Sequence, residues 1–139
     1  MKSVFLTIAL ILISTLGFSQ DTKGQTLTIT IENAKSDTGK IIVTLNTKDT
    51  FLKAQPIKSA IANIKDGKAT VTFKKVQSGD YAIMALHDLN GNQSMDFEAN
   101  GMPKESYGTS NNPRSFGTPM YDDAKFNVEK EDLTLSIRF

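Results

Sequence analysis

From Gln25 onward the apolar residues recur at every second position, and this spacing constrains the fold more than any other feature of the chain. Leu27, Ile29 and Ile31 alternate with Thr26, Thr28 and Thr30, and Ile41, Val43 and Leu45 alternate with Thr44 and Asn46. Ala69, Val71 and Phe73 interleave with Thr70 and Thr72, and Leu133, Leu135, Ile137 and Phe139 interleave with Thr134, Ser136 and Arg138. Successive side chains of a strand point to opposite faces, so each run predicts a strand with one core face and one wet face. Tyr81 to His87 (YAIMALH) is apolar on both parities, as expected of a central strand covered on both sides or lying under a long loop. Turn signals stand between the runs at Ser36-Asp37-Thr38-Gly39, Lys65-Asp66-Gly67-Lys68 and Gln77-Ser78-Gly79-Asp80. A further strand is expected over Ala124 to Val128. Phe51 to Ala62 reads either as an edge strand broken at Pro56 or as a short helical turn. Six to seven short strands without a long helix predict an all-β, antiparallel β-sandwich. Its expected core is Leu27, Ile29, Ile31, Ile41, Val43, Leu45, Val71, Phe73, Tyr81, Ile83, Phe126, Leu133, Leu135 and Ile137.

The chain begins MKSVFLTIALILISTLGFSQ: a lysine at position 2, an apolar run from Val4 to Leu16, then small residues at Gly17 and Ser19. This is the pattern of a secretory signal peptide over residues 1–19, with cleavage after Ser19 and one β-sandwich domain over residues 20–139. The apolar run is shorter than the roughly 20 residues of a spanning helix, and no second one follows, so no membrane span is expected after cleavage. The expected location is exported, periplasmic or extracellular. The whole chain of 139 residues carries a formal charge of +1, and loss of Lys2 with the leader leaves equal numbers of each sign. A balanced chain lacks the basic face that a nucleic-acid binder exchanges for counterions. The absence of cysteine excludes disulfide scaffolds, thiol nucleophiles, thiolate-held zinc and a lipidated anchor, and a single histidine excludes a His-rich metal site.

The period of two fails from Asp88 to Asp123, thirty-six residues rich in Asn, Gly, Pro and Ser. Loops of that length are uncommon unless functional or disordered. Met95, Phe97, Met102, Tyr107, Phe116, Met120 and Tyr121 predict that this one folds back onto the sandwich as an ordered surface. At its start, HDLNGNQSMD places Asp88, Asn90, Asn92 and Asp96 at relative positions 1, 3, 5 and 9, the spacing by which a calcium loop wraps oxygen ligands around a hard cation. Gln93 stands where a helix–loop–helix calcium hand has glycine, Ala99 where it has a bidentate glutamate, and the flanking elements are strands. Two readings stand side by side: a partial Ca2+ loop on these four residues, or an Asx-rich turn in which Asp88, Asn90 and Asn92 bond backbone amides with no ion.

HDLNGNQSMD, then GMPKESYGTSNN (Gly101 to Asn112) and FGTPMYDDAKF (Phe116 to Phe126), resemble the secreted bacterial family called domain of unknown function 2141. Its pattern is a His-Asp-x-Asn-Gly-Asn loop, a Gly-x-Pro-Lys-Glu-Gly-Tyr-Gly segment and a Phe-Gly-x-Pro segment ahead of Asp-Ala. The resemblance covers nearly the whole mature chain and implies a transthyretin-like, Ig-like β-sandwich. It implies no activity. This chain departs from the pattern at Gln93 and Ser106, where the family usually carries glycine, and the first departure bears against tight wrapping of a cation.

No nucleophile–base–orienter set, phosphate-cradling loop or pair of acids in a cleft assembles from the sequence, so no catalytic residues are assigned. The expectation is an exported, non-catalytic binding or scaffold domain that engages a protein or carbohydrate ligand through its loop face, with calcium as a candidate support. The alternative is a small secreted enzyme acting on carbohydrate or peptide, with His87, Asp88 and Glu105 as its acid–base set. Glu105 in hydrogen-bond reach of His87 in an open cleft would favour the enzyme. Glu105 buried against the sandwich would favour the scaffold.

Overall fold

The computed structural model describes residues 23–139, so the expected leader lies outside the described residues. Eight strands and one short helix follow in order: β1 (Gln25–Ile31), β2 (Lys40–Asn46), β3 (Lys58–Asn63), β4 (Ala69–Val76), β5 (Gly79–Asp88), β6 (Tyr107–Thr109), α1 (Tyr121–Ala124), β7 (Phe126–Val128) and β8 (Leu133–Ile137). They form two sheets. One has three strands in the order β4-β1-β8; the other has five, ordered β3-β2-β5-β6, with β7 pairing β5 beyond the end of β6. The architecture is the all-β sandwich that the alternation predicts, with two more precise results. The Phe51–Ala62 segment resolves into a turn followed by β3, and the long irregular stretch contains the three-residue strand β6. One pair also departs from the all-antiparallel expectation, because β1 and β8 run parallel, Leu27 opposite Leu133 through Ile31 opposite Ile137.

The core lies between the sheets and is built from the apolar parity of each strand. Leu27, Ile29, Ile31, Ile41, Val43, Leu45, Val71, Phe73, Ile83 and Ile137 are buried there, with Tyr81, Phe126, Leu133 and Leu135 packed half-buried against them. The Tyr81 hydroxyl donates to the Gln77 carbonyl at 3.0 Å, the backbone partner that a half-buried phenol needs. A second, smaller cluster lies on the other face of β5: Phe51, Ala82 and Ala124 are buried with Met84 and Tyr121 against them. Burial pushes the Tyr121 phenol above its ordinary value, and the charges of Asp80, Asp122 and Asp49 push the same way.

The two sheets differ in what they turn outward. On the three-stranded sheet the register sets Thr28 beside Thr72 and Thr134, and Thr30 beside Thr70 and Ser136, a hydroxyl-bearing face suited to water. On the five-stranded sheet, Ile41, Val43, Ile83 and Ala85 face the core, so Ile42, Met84 and Leu86 point away from it. Pairing then aligns Ile61, Ile42, Leu86 and Tyr107 in one row across four strands. At a spacing of about 4.8 Å per strand that row is roughly 14 Å long. It is the outer face of this sheet that the loops cover.

Where β6 meets the end of β8, the backbones touch. A Cβ added at Gly108 would collide with the Arg138 carbonyl oxygen and with the Ile137 side chain, so only glycine fits. The contact is reinforced by Asn112, whose side chain accepts from the Arg138 amide at 2.7 Å and donates to the Ser136 carbonyl at 2.9 Å. Gly108→Ala is expected to destabilise the fold by about 1–3 kcal/mol through overpacking, read as a lower urea midpoint at unchanged slope.

Candidate functional site

The site is built from the end of β5 outward. Asp88, the last residue of that strand, is buried, and its carboxylate accepts from two amides of the loop ahead of it: Gly91 N–H at 2.8 Å on one oxygen and Gln93 N–H at 2.9 Å on the other. Asn90 Oδ1 accepts from Asn92 N–H and Asn92 Oδ1 from Ser94 N–H, a pair of successive Asx turns. The nitrogens of both amides turn to Asp96: Asn90 Nδ2 donates to Oδ2 at 2.6 Å, and Asn92 Nδ2 to both oxygens at 3.0 and 3.1 Å. Gln93 takes φ +60°. That conformation costs a non-glycine residue about 1–2 kcal/mol, and here the bond from its amide to Asp88 holds it. The sharp turn expected of glycine at the sixth position is therefore made by glutamine.

Glu105 returns beneath this loop. It is 5% exposed, and its two oxygens accept from Leu89 N–H at 2.8 Å and Asp96 N–H at 3.2 Å, so one carboxylate ties both ends of the 88–96 turn. Between them the chain forms a small hairpin, with Phe97 opposite Pro103 and bonds from Lys104 N to Asp96 O and from Glu98 N to Met102 O. His87 points to the other side of β5. Its Nε2 lies 2.7 Å from the Thr38 carbonyl and its ring stacks on Phe139 at 6.2 Å between centroids. The three members of the conceivable acid–base set thus have separate partners: His87 a carbonyl and a phenyl ring, Asp88 and Glu105 the amides of the loop.

The four residues predicted to ligate calcium share one loop. Asp88, Asn90 and Asn92 hold the turn as oxygen acceptors, and each such oxygen keeps a second lone pair. Asp96 accepts from the side-chain nitrogens of Asn90 and Asn92. Among the described residues no group of three or more His, Cys, Asp or Glu is placed to hold a metal ion, so a cation here would rest on two carboxylates and amide or backbone oxygens.

Beside the loop, on the outer face of the five-stranded sheet, lies a groove of about 580 Å³. Met84 and Leu86 of β5 and Tyr107 of β6 form its floor, while Met95, Phe97, Met102 and Pro103 of the hairpin form one wall. Leu52 and the Gly117–Pro119 segment close the other sides. Tyr107 reaches this segment through its hydroxyl, 3.4 Å from the Gly117 carbonyl. None of the described lining residues is charged, and Leu52, Phe97 and Met102 are each more than half exposed. Leu52 also holds φ +54°. The sequence pointed to the loop face, through Met95, Phe97, Met102 and Tyr107, but not to Leu52, Met84 or Leu86 as parts of a groove, although the both-parity strand YAIMALH carries that signal. Phe116, expected to pack the loop down, projects fully into solvent, and Tyr121 packs edge-on against Phe51 instead.

The two sheets, the carboxylate-clamped Asp/Asn turn and the loop-walled outer face together define a class: an all-β sandwich that elaborates one end of its central strand. Within that class the chain belongs to the family described as "Uncharacterized protein conserved in bacteria (DUF2141)", whose model matches residues 29–136. Two structures of the pilus-presented adhesin Spy0125 (Cpa), both of the P212121 form, are similar at 16% and 17% identity, covering 85% and 83% of this chain, each with a TM-score of 0.27. This chain spans about a quarter of the length of those structures, 28% and 26%. A comparison with curated proteins gives no match.

Glu105→Ala is expected to remove both tie-points at once, lowering stability by about 2–3 kcal/mol. Hydrogen exchange at Leu89, Gly91, Gln93 and Asp96 should accelerate well beyond that at Ile29 and Val43. Equal acceleration at all six amides would mean that Glu105 supports the sandwich as a whole rather than the loop.

Proposed function

We propose that this protein is an exported, non-catalytic binding module that takes a small, uncharged, apolar molecule into the groove on the outer face of its five-stranded sheet. The observation that carries this is the set of apolar side chains, Met84, Leu86 and Tyr107, on an outer sheet face of the kind that is usually wet, which the loops wall without closing. Pockets for small ligands occupy about 300–1,000 Å³ and are mainly apolar, a range that includes this one. The lining offers no counter-charge to a carboxylate, phosphate or ammonium group, so an organic ion would lose its hydration without recompense. In the same reading the 88–96 turn is the support of the groove wall, because Asp96 leads directly into Phe97 and the hairpin. Calcium at Asp88, Asn90, Asn92 and Asp96 would stiffen that support. The acid–base alternative has less behind it, since His87 and Glu105 are engaged elsewhere.

Titration with the apolar fluorophore N-phenyl-1-naphthylamine tests the groove. Saturable binding at one site is expected, weakened about tenfold or more by the double change Leu52→Ser, Phe97→Ser, two exposed positions whose loss leaves the core intact. Unsaturable binding, or no change in the double variant, would overturn the reading.

For the cation, calorimetry at millimolar calcium is expected to give heat, and chelator to lower the melting temperature, in the weak range of extracellular calcium modules, about 10⁻⁴ to 10⁻³ M. Asp88→Ala should abolish both effects. Neither heat nor shift in the wild type would leave the ion-free Asx turn as the working state of the loop.

A further inference from the structure

The described residues contain four methionines, at positions 84, 95, 102 and 120, and they are not scattered. Met84 from β5 and Met95 and Met102 from the two arms of the hairpin line the same groove, and Met120 directly follows Pro119, which lines it too. Burial accounts for Met84, which packs against Phe51, Ala82 and Ala124, but not for the methionines further out. Met102 and Met120 are 62% and 60% exposed, so they contribute little buried area, and an apolar wall is built more rigidly from leucine. What methionine adds is a thioether, a neutral soft donor.

We infer that the groove is also a binding site for a soft monovalent cation, Cu(I) or Ag(I), held by the thioethers of Met84, Met95 and Met102. Soft thioether donors select Cu(I) over the hard cations that carboxylates hold, and Ag(I) shares that softness. The groove has no anionic side chain among its described lining residues, so it offers nothing to offset the second charge of a divalent ion. A single charge is better matched. Phe97 and Tyr107, on the same lining, bring aromatic rings whose faces attract a cation. Competing soft ligands are missing: the chain has no cysteine, and its one histidine is buried on the other side of β5 against Thr38 and Phe139. Thioethers need not lose a proton to bind, so affinity should stay flat with pH over a range where thiolate and imidazole sites lose metal. The inference rests on the ligand reading only for the groove being open.

The test uses the full mature chain with [¹³C]methyl-methionine in chloride-free buffer, titrated with silver nitrate and, under anaerobic conditions, with Cu(I) against a chromogenic competitor. One equivalent should shift the methyl signals of Met84, Met95 and Met102 together and saturate, with binding unchanged between pH 5 and 7, whereas calcium and zinc should leave these signals in place. Met95→Leu, Met102→Leu keeps the volume and apolarity of the wall and should weaken Ag(I) binding about tenfold or more while naphthylamine still binds. Gradual, unsaturable shifts of all four methyls, or equal affinity in the leucine variant, would overturn the proposal. Silver binding without naphthylamine binding would sink the apolar-ligand reading and leave this one standing. The converse result would do the opposite.

Discussion

A central strand that is apolar on both faces has to be covered twice, and the rest of this structure follows from how that is done. β5 carries Ile83, Ala85 and His87 inward and Ala82, Met84 and Leu86 outward, so the core between the sheets satisfies only half of it. On the outer side Phe51, Ala124 and Tyr121 cover the first half of the strand and form a second small core. The second half is left to the hairpin and to Leu52, which wall the surface at a distance. The groove is what remains when apolar surface exceeds apolar cover, and contiguous exposed surface of that sort marks interaction sites more often than accident.

Holding a wall off a sheet requires a loop that does not collapse onto it. Here the stiffness comes from charge used as a hydrogen-bond acceptor. Asp88 and Glu105 together accept four backbone N–H bonds, and bonds to ionised acceptors are shorter and stronger than neutral ones. Both carboxylates are almost wholly buried, which excludes competing water from the bonds. Ser110 is a neutral anchor earlier along β5, donating through its hydroxyl to the Ala124 carbonyl while accepting from the Ile83 amide. Polar anchors under the loops thus do what apolar packing does within the sandwich.

The fold was legible because strand alternation is a local property: Leu27, Ile29 and Ile31 announce their face whatever lies around them. The same rule failed at the short elements. β6 is three residues, Tyr107 to Thr109, too few to show a period, and its pairing with β5 depends on Gly108 admitting the Arg138 backbone, a contact with a residue thirty positions away. The parallel pairing of β8 with β1 is likewise a matter of topology. At the site, the Asp/Asn residues of the motif lie together in one turn held by Asx bonds, and Glu105 is buried beneath it, bonded to the Leu89 and Asp96 amides and not to His87. The groove was not read, since its floor and walls come from four separate stretches of chain whose outward parity looks, in sequence, like any covered strand. The expectation for Phe116 failed because size alone does not say that an aromatic ring has something to pack on.

The parallel pairing has a consequence for the order in which the molecule is made. β1 is the middle strand of its sheet, and its partner on one side is β8, with Thr26 and Asp132 bonded across 106 positions. Until the last strand arrives, β1 has one edge open and the three-stranded sheet lacks a third of its strands. Loop closure over such a span slows folding, since its entropy is lost before the contacts form. A chain emerging from its amino end therefore keeps this edge of β1 unpaired until β8 has been made.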